Sequence, residues 1–279
     1  MSSFVWTSGL VPTDGEDIYY ESTGEGAAVV FGHGLGGNHA VWYQQVPVFV
    51  QRFRAVTWDQ RGFGRSTNRH GRAGPEAAVD DIGALLDQLE LERAHLVGQS
   101  MGGWAVLGFA LRSPDRVKSL VITDSTAGVM TERIGEIISR QTRAALPEPV
   151  LGRHPALGDR FSEKDPTNTF LYQSIGSFRD PSVTDADMVG KLYSTRYRIE
   201  DVEALRLPVL LVVGSEDGLI PAEAVHELGR VIPGARVAEI PEAGHSPYFE
   251  QPDAWNEVVL SFLSEVDSSK GVGHGAEDR

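Results

Sequence analysis

The feature that most constrains this chain is an alternation of two hydrophobic periods along its length. Ala27–Phe31, Arg54–Trp58, Ala94–Val97, Lys118–Thr123, Pro208–Val213 and Arg236–Ile240 are short, apolar and rich in β-branched residues, and read as strands. Between them the period changes. Ala77–Leu89 sets Ala78, Ile82, Leu85, Leu86 and Leu89 on one helical face and Asp80, Asp81 and Asp87 outside it, and Trp104–Leu111, Ala222–Val231 and Ala254–Phe262 repeat the arrangement. Strand, helix, strand in succession requires crossovers long enough to return the chain to the same sheet edge. The expected class is therefore α/β, a mostly parallel central sheet with helices on both faces. Phe4–Val11 and Ile18–Ser22, separated by Thr13, Asp14 and Gly15, read instead as a leading antiparallel hairpin.

The alternation breaks between Gly128 and Leu207. There Pro147, Pro149, Pro155, Pro166 and Pro181 interrupt helical fragments such as Arg133–Leu146 and Ala186–Tyr197. The expected division is a core of residues 1–127 and 208–266, a mainly helical cap inserted at 128–207, and a disordered Gly/Ser/charge-rich tail at 267–279. Residues 131–200 hold ten acidic and ten basic side chains, so the net charge of −14 resides in the rest of the chain. A neutral cap carrying Phe161, Phe170, Tyr172, Phe178, Tyr193 and Tyr197 suits a small, uncharged, partly apolar substrate. The same aromatics would also serve simply to hold the cap together.

The acidic balance disfavours nucleic acid and anionic membranes as partners. With no cysteine among 279 residues, disulfides, thiolate metal sites and cysteine nucleophiles are excluded. The N-terminus lacks a basic stretch followed by a sustained apolar run, and no segment is apolar for long enough to cross a bilayer. A soluble cytoplasmic protein, monomer or homodimer, is the expectation.

Strand Ala94–Val97 runs into Gly98-Gln99-Ser100-Met101-Gly102-Gly103 and then directly into a helix. Such a strand–turn–helix junction holds a serine hydroxyl above the carboxyl edge of the sheet, at the positive end of the helix, with glycines where a Cβ would collide. Ser100 is therefore the candidate nucleophile. A serine needs a base that titrates near neutrality. Of eight histidines, His245 lies in the loop directly after strand Arg236–Ile240, at the same edge. His95 begins a strand, His226 sits on a helix and His274 lies in the tail, so these are read as structural or solvent-facing. The base needs a carboxylate to orient it. Asp217 follows strand Pro208–Val213; Asp124, ending strand Lys118–Thr123, is the alternative acid, and neighbouring Glu216 is expected to point elsewhere. The oxyanion formed by attack needs N–H donors. Met101 supplies one at the helix start, and Leu35, in Gly32-His33-Gly34-Leu35-Gly36-Gly37 after the first core strand, is the candidate for the other. His33 is read as a brace for that loop. Trp42 and Trp104, with Tyr172, Phe178 and Tyr193 of the cap, are candidates for contact with substrate.

Taken together, HGLGG at 33–37, DQRGFGRS at 59–66, GQSMGG at 98–103, GSEDGLIP at 214–221 and EAGH at 242–245 resemble the ordered signature of the α/β-hydrolase superfamily over about residues 15–265, its esterase and lactonase branch in particular. The resemblance implies catalysis by Ser100, Asp217 and His245 with no cofactor and no metal, and a loop-stabilising role for Asp59, Arg61 and Gly62. It implies a serine hydrolase that cleaves an ester or lactone through an acyl-enzyme. A carbon–carbon hydrolase or perhydrolase of the same fold is the alternative. Ser246, following His245, weakens the carbon–carbon reading, because those hydrolases usually carry a bulky aromatic there. A small-molecule receptor, or a lyase or cyclase using the same pocket, stands as a reading from another class.

Overall fold

The computed structural model describes residues 4–140 and 150–270. β1 (Trp6–Thr13) and β2 (Glu16–Thr23) form the expected hairpin around Asp14 and Gly15, both at positive φ (50° and 79°), the backbone that a two-residue turn between twisted strands requires. β3 (Ala28–Gly32), β4 (Arg54–Trp58), β5 (Ala94–Gln99), β6 (Val117–Thr123), β7 (Val209–Gly214) and β8 (Arg236–Ile240) complete an eight-stranded sheet in the order β1-β2-β4-β3-β5-β6-β7-β8. The two pairings made by β2 are antiparallel, and β3 to β8 pair in parallel.

After β3 come a 3-10 turn at His39–Trp42 and a short helix, α1 (Val46–Phe49). α2 (Pro75–Gln88) follows β4, and α3 (Met101–Arg112) follows β5. The segment between β6 and β7 contains α4 (Glu132–Arg140), α5 (Asp159–Lys164), α6 (Pro166–Gly176), α7 (Asp185–Ser194) and α8 (Ile199–Glu203). α9 (Ala222–Val231) joins β7 to β8, and α10 (Pro247–Glu250) and α11 (Pro252–Lys270) end the described chain. No described helix is long and apolar enough to cross a membrane.

The central strands are buried on both faces, which is why they read as unbroken apolar runs. Their side chains nonetheless alternate. On β3, Ala28 and Val30 belong to the core layer that holds Ile82 and Leu85 of α2, Phe109 of α3 and Leu228 of α9, whereas Val29 and Phe31 belong to the layer that holds Phe49 of α1 and Trp255, Val259 and Leu263 of α11. Parallel register then aligns the strand ends: Gly32 lies opposite Gly98, Gln99 opposite Thr123 and Gly214 opposite Ile240. Every loop that leaves a carboxyl end therefore starts from the same edge.

One expectation is corrected. Residues 267–270 belong to α11 rather than to a tail, because Asp267 is tied to the sheet by Lys118 Nζ at 2.5 Å and His95 Nε2 at 3.2 Å. The rest of the expected tail, with His274, and residues 141–149 of the expected cap lie outside the described residues.

Candidate active site

Ser100 sits between β5 and α3 with φ 47° and ψ −113°, a conformation costing on the order of 1–3 kcal/mol that only a well-braced turn maintains. Bracing comes from close backbone contact. A Cβ on Gly98 would lie 2.4 Å from the Gly102 carbonyl oxygen, and one on Gly102 would lie 2.3 Å from that of Gly32, so the turn closes against β3 only with glycine at both places. The Ser100 N–H donates to Thr123 O at 2.9 Å, and the Ser125 hydroxyl donates to Ser100 O at 2.9 Å.

The loops after β7 and β8 bring two more groups to this turn. His245 Nε2 lies 2.9 Å from Ser100 Oγ, and Nδ1 lies 2.8 Å from Asp217 Oδ2. The other carboxylate oxygen of Asp217 accepts the N–H groups of Leu219 (2.7 Å) and Ile220 (3.0 Å). With both oxygens of Asp217 accepting N–H bonds, His245 carries its proton on Nδ1 and presents a lone pair on Nε2 to the serine hydroxyl. Three of the sequence-predicted residues thus form one continuous hydrogen-bonded line.

Asp124 does not take the place of Asp217. Its Oδ1 accepts the Gly214 N–H at 2.8 Å and its Oδ2 accepts the Thr123 hydroxyl at 3.0 Å. Asp124, Asp217 and His245 bring potential ligand atoms within 4.8 Å of one another, a set of residue types able to hold a cation. Both Asp217 oxygens and His245 Nδ1 are already engaged in the bonds above, so the set is connected as a hydrogen-bond relay rather than opened toward an ion.

Leu35 and Met101 flank the serine, and among the described residues neither backbone N–H has a hydrogen-bond acceptor. Gly34 is so close to the nucleophile that a Cβ there would lie 3.1 Å from that of Ser100. His33 braces this loop as read from the sequence. Its Nε2 accepts the Gln60 N–H at 3.0 Å and its Nδ1 therefore donates to Gly34 O at 2.8 Å, while full burial lowers its pKa and keeps the ring neutral. Asn38 ties the same loop to α6 through Ile175 O at 2.8 Å.

The five candidates for substrate contact separate. The Tyr172 hydroxyl reaches Ser246 Oγ at 2.9 Å, beside His245. Trp104 packs with Met101, Val183, Met188 and Leu192, against which Leu35 also lies, between the serine turn and α7. Trp42 is 0% exposed within the core, against Phe31, Tyr248 and Trp255. Phe178 and Tyr193 are 66% and 56% exposed, Tyr193 lies beneath the Arg196 guanidinium, and no described contact joins either to Ser100. As expected, Glu216 turns away to Arg160 (3.0 Å), His226 pairs with Glu239 on the surface, and Arg61 is locked to Asp81.

Two residues that hold the site were not singled out in the sequence. Gln99 Nε2 donates to His245 O at 2.9 Å, coupling the serine turn to the histidine loop; its place beside the serine was the available signal. Glu250 accepts the N–H groups of Gly244 (2.9 Å), Ser246 (3.2 Å) and Gly158 (3.0 Å), clamping both flanks of His245 to the chain before α5. No motif marks it. A second Ser–His–Asp contact, Ser119 to His95 (2.7 Å) to Asp267 (3.2 Å), lies toward the amino ends of the strands with the serine fully buried, and acts as a brace.

Comparison with known proteins agrees with this architecture. A family model described as "alpha/beta hydrolase fold" matches residues 27–252. The protein named "Putative carbamate hydrolase RutD" from Caulobacter sp. (strain K31) is 32% identical over 263 residues, covering 89% of this chain and 96% of that protein. Among solved structures, a thermophilic esterase from Thermogutta terrifontis aligns with a TM-score of 0.78 at 28% identity, covering 95% of this chain and 99% of that one. Est816, described as an N-acyl homoserine lactone degrading enzyme, aligns with a TM-score of 0.75 at 28% identity over 91% of this chain and 99% of its own.

Proposed function

Because the chain belongs to the α/β-hydrolase fold family and is in broad class a hydrolase, we propose that it is a serine hydrolase cleaving a small carboxylic ester or lactone through an acyl-enzyme on Ser100. The observation that carries this reading is the unbroken line from Asp217 Oδ2 through both ring nitrogens of His245 to Ser100 Oγ, at 2.8 and 2.9 Å. In the first step His245 Nε2 takes the hydroxyl proton as Oγ attacks the substrate carbonyl. The imidazolium is stabilised by Asp217, and the developing oxyanion accepts the Leu35 and Met101 N–H groups. Collapse expels the leaving group, which receives the proton from His245. A water deprotonated by the same ring then releases the acid, restoring Ser100. The described parts of residues 128–207 act as a cap over this edge, with Trp104 and Tyr172 as the pocket residues, and the protein works in the cytoplasm. Nothing in these steps draws on a metal or organic cofactor.

A carbamate would follow the same acyl-transfer path, and the likeness to the protein named as a carbamate hydrolase favours it as the second substrate class. The test is labelling with a fluorophosphonate, location of the adduct by mass spectrometry, and turnover of nitrophenyl esters, lactones and carbamates by wild type and Ser100→Ala. The expected result is an adduct on Ser100 and a loss of at least about 10⁴-fold in kcat. An unlabelled Ser100, or turnover that survives the substitution, overturns the assignment.

A further inference from the structure

Asp124 and Asp217 form a fully buried carboxyl pair that the acyl-transfer steps leave unexplained. Asp124 is 0% exposed, follows β6 with φ 50°, and lies beside Asp217 with no Lys or Arg partner among the described residues. Two carboxylates sharing a dry site do not both ionise readily, so one proton is held between them. The hydrogen bonds decide which oxygen holds it. Asp217 accepts three N–H groups, from His245, Leu219 and Ile220, all of which favour its charged form. Asp124 accepts one backbone N–H, from Gly214, and the Thr123 hydroxyl.

We propose that Asp124 is a neutral carboxylic acid hydrogen-bonded to Asp217, a positioning residue that confines the carboxylate charge to Asp217 and fixes its orientation toward His245. Burial is the leading cause that pushes the Asp124 pKa well up, and the adjacent Asp217 charge adds to it. The other titratable groups facing it are His245 and the phenols of Tyr172 (α6) and Tyr248 (α10), both pushed upward by burial and so neutral, while Glu250 lies further out in the field of Asp217. The catalytic part of this inference rests on the serine-hydrolase reading; the protonation state does not.

Asp124→Asn is the informative variant. An amide keeps an acceptor for the Gly214 N–H and a donor for Asp217, loses only the acceptor of the Thr123 hydroxyl, and asparagine tolerates positive φ. If Asp124 is neutral, the exchange removes no charge. The acid limb of kcat/KM and the His245 ring titration followed by NMR then both stay within about 0.3 pH unit of wild type, whereas Asp124→Ala, which removes the donor and leaves the Asp217 charge unshared, moves both upward. If Asp124 is instead ionised, Asp124→Asn deletes a charge close to the ring and both midpoints fall by about one pH unit or more, which overturns the proposal. Because the NMR titration needs no turnover, it separates failure of this proposal from failure of the hydrolase reading.

Infrared spectra of wild type carrying aspartate ¹³C-labelled at its side-chain carboxyl supply a readout that does not depend on either variant folding. Glu250 is unlabelled, and the other strongly raised aspartate, Asp81, has a pKa of about 6 and is ionised by pH 8. A labelled protonated-carboxyl band persisting at pH 8 is expected, and its absence refutes the proton on Asp124.

Discussion

At the scale of single residues, the proposed triad is held by neighbours whose work is geometric. Glu250 is the clearest of these. Three N–H donors, from Gly158, Gly244 and Ser246, converge on one buried carboxylate, so that removing it leaves all three unpaired. Glu250→Ala is expected to lower unfolding stability by at least about 2 kcal/mol in a denaturant titration, and to reduce kcat as the His245 loop loosens. Wild-type stability with intact turnover would show that the clamp is redundant. Ser100, His245 and Asp217 were legible because each role demands one residue type at one strand end. Glu250 was not, since a glutamate between Phe249 and Gln251 looks like any other charge on a helix. Its function comes from two backbone segments far apart in sequence that fold onto it. The same blindness separates Tyr172, on α6 and reaching Ser246, from Phe178, exposed in the chain just after α6: which of them meets the core is a tertiary fact.

Among the elements, the strands were the most readable, because those buried on both faces must be apolar throughout. Helix ends were harder. α3 starts at Met101 rather than Trp104 because Gly102 and Gly103, poor helix formers, are used there for close approach to β3 and to Ser125. α11 runs past Phe262 into a stretch where Leu263 and Val266 are still buried in the core and Asp267, Ser268 and Ser269 are polar, and its end is held by ion pairs as well as by apolar burial. Burial alone would raise the Asp267 pKa, but Lys118 and His95 outweigh it and hold the carboxyl below its usual range. A depressed folded pKa contributes stability above the unfolded value near 4, and that contribution is lost as pH falls through the folded pKa. Asp267→Asn is therefore expected to destabilise the protein at pH 7 by about 0.5–1 kcal/mol, the figure being kept small because the group is partly exposed, with the difference from wild type disappearing once the pH falls below the folded pKa of Asp267. Thermal unfolding of both proteins across that range checks the sign. A gap that persists in strong acid would mean that packing, not charge, holds the helix end.

For the molecule as a whole, charge and site are distributed unevenly. The chain carries −14, yet residues 131–200, between the sixth and seventh strands, balance their acidic and basic groups. With the proposed cap over the carboxyl edge, a substrate arriving there would pass a segment of near-neutral composition on a strongly anionic body. At low ionic strength the body's field extends tens of ångströms and repels anionic esters, whereas added salt shortens it to about 8–10 Å. Neutral esters feel neither condition. With two nitrophenyl esters of matched acyl length, one bearing a distal carboxylate, raising ionic strength from about 0.01 to about 0.15 M should leave kcat/KM for the neutral ester unchanged and raise it severalfold for the anionic one. The effect should lie in kcat/KM rather than kcat, because screening acts on encounter and not on the acyl-transfer step. An equal salt response for both esters, or an anionic ester favoured at low salt, would mean that local positive groups at the entrance dominate over the net charge, and the preference for uncharged substrates would have to be abandoned.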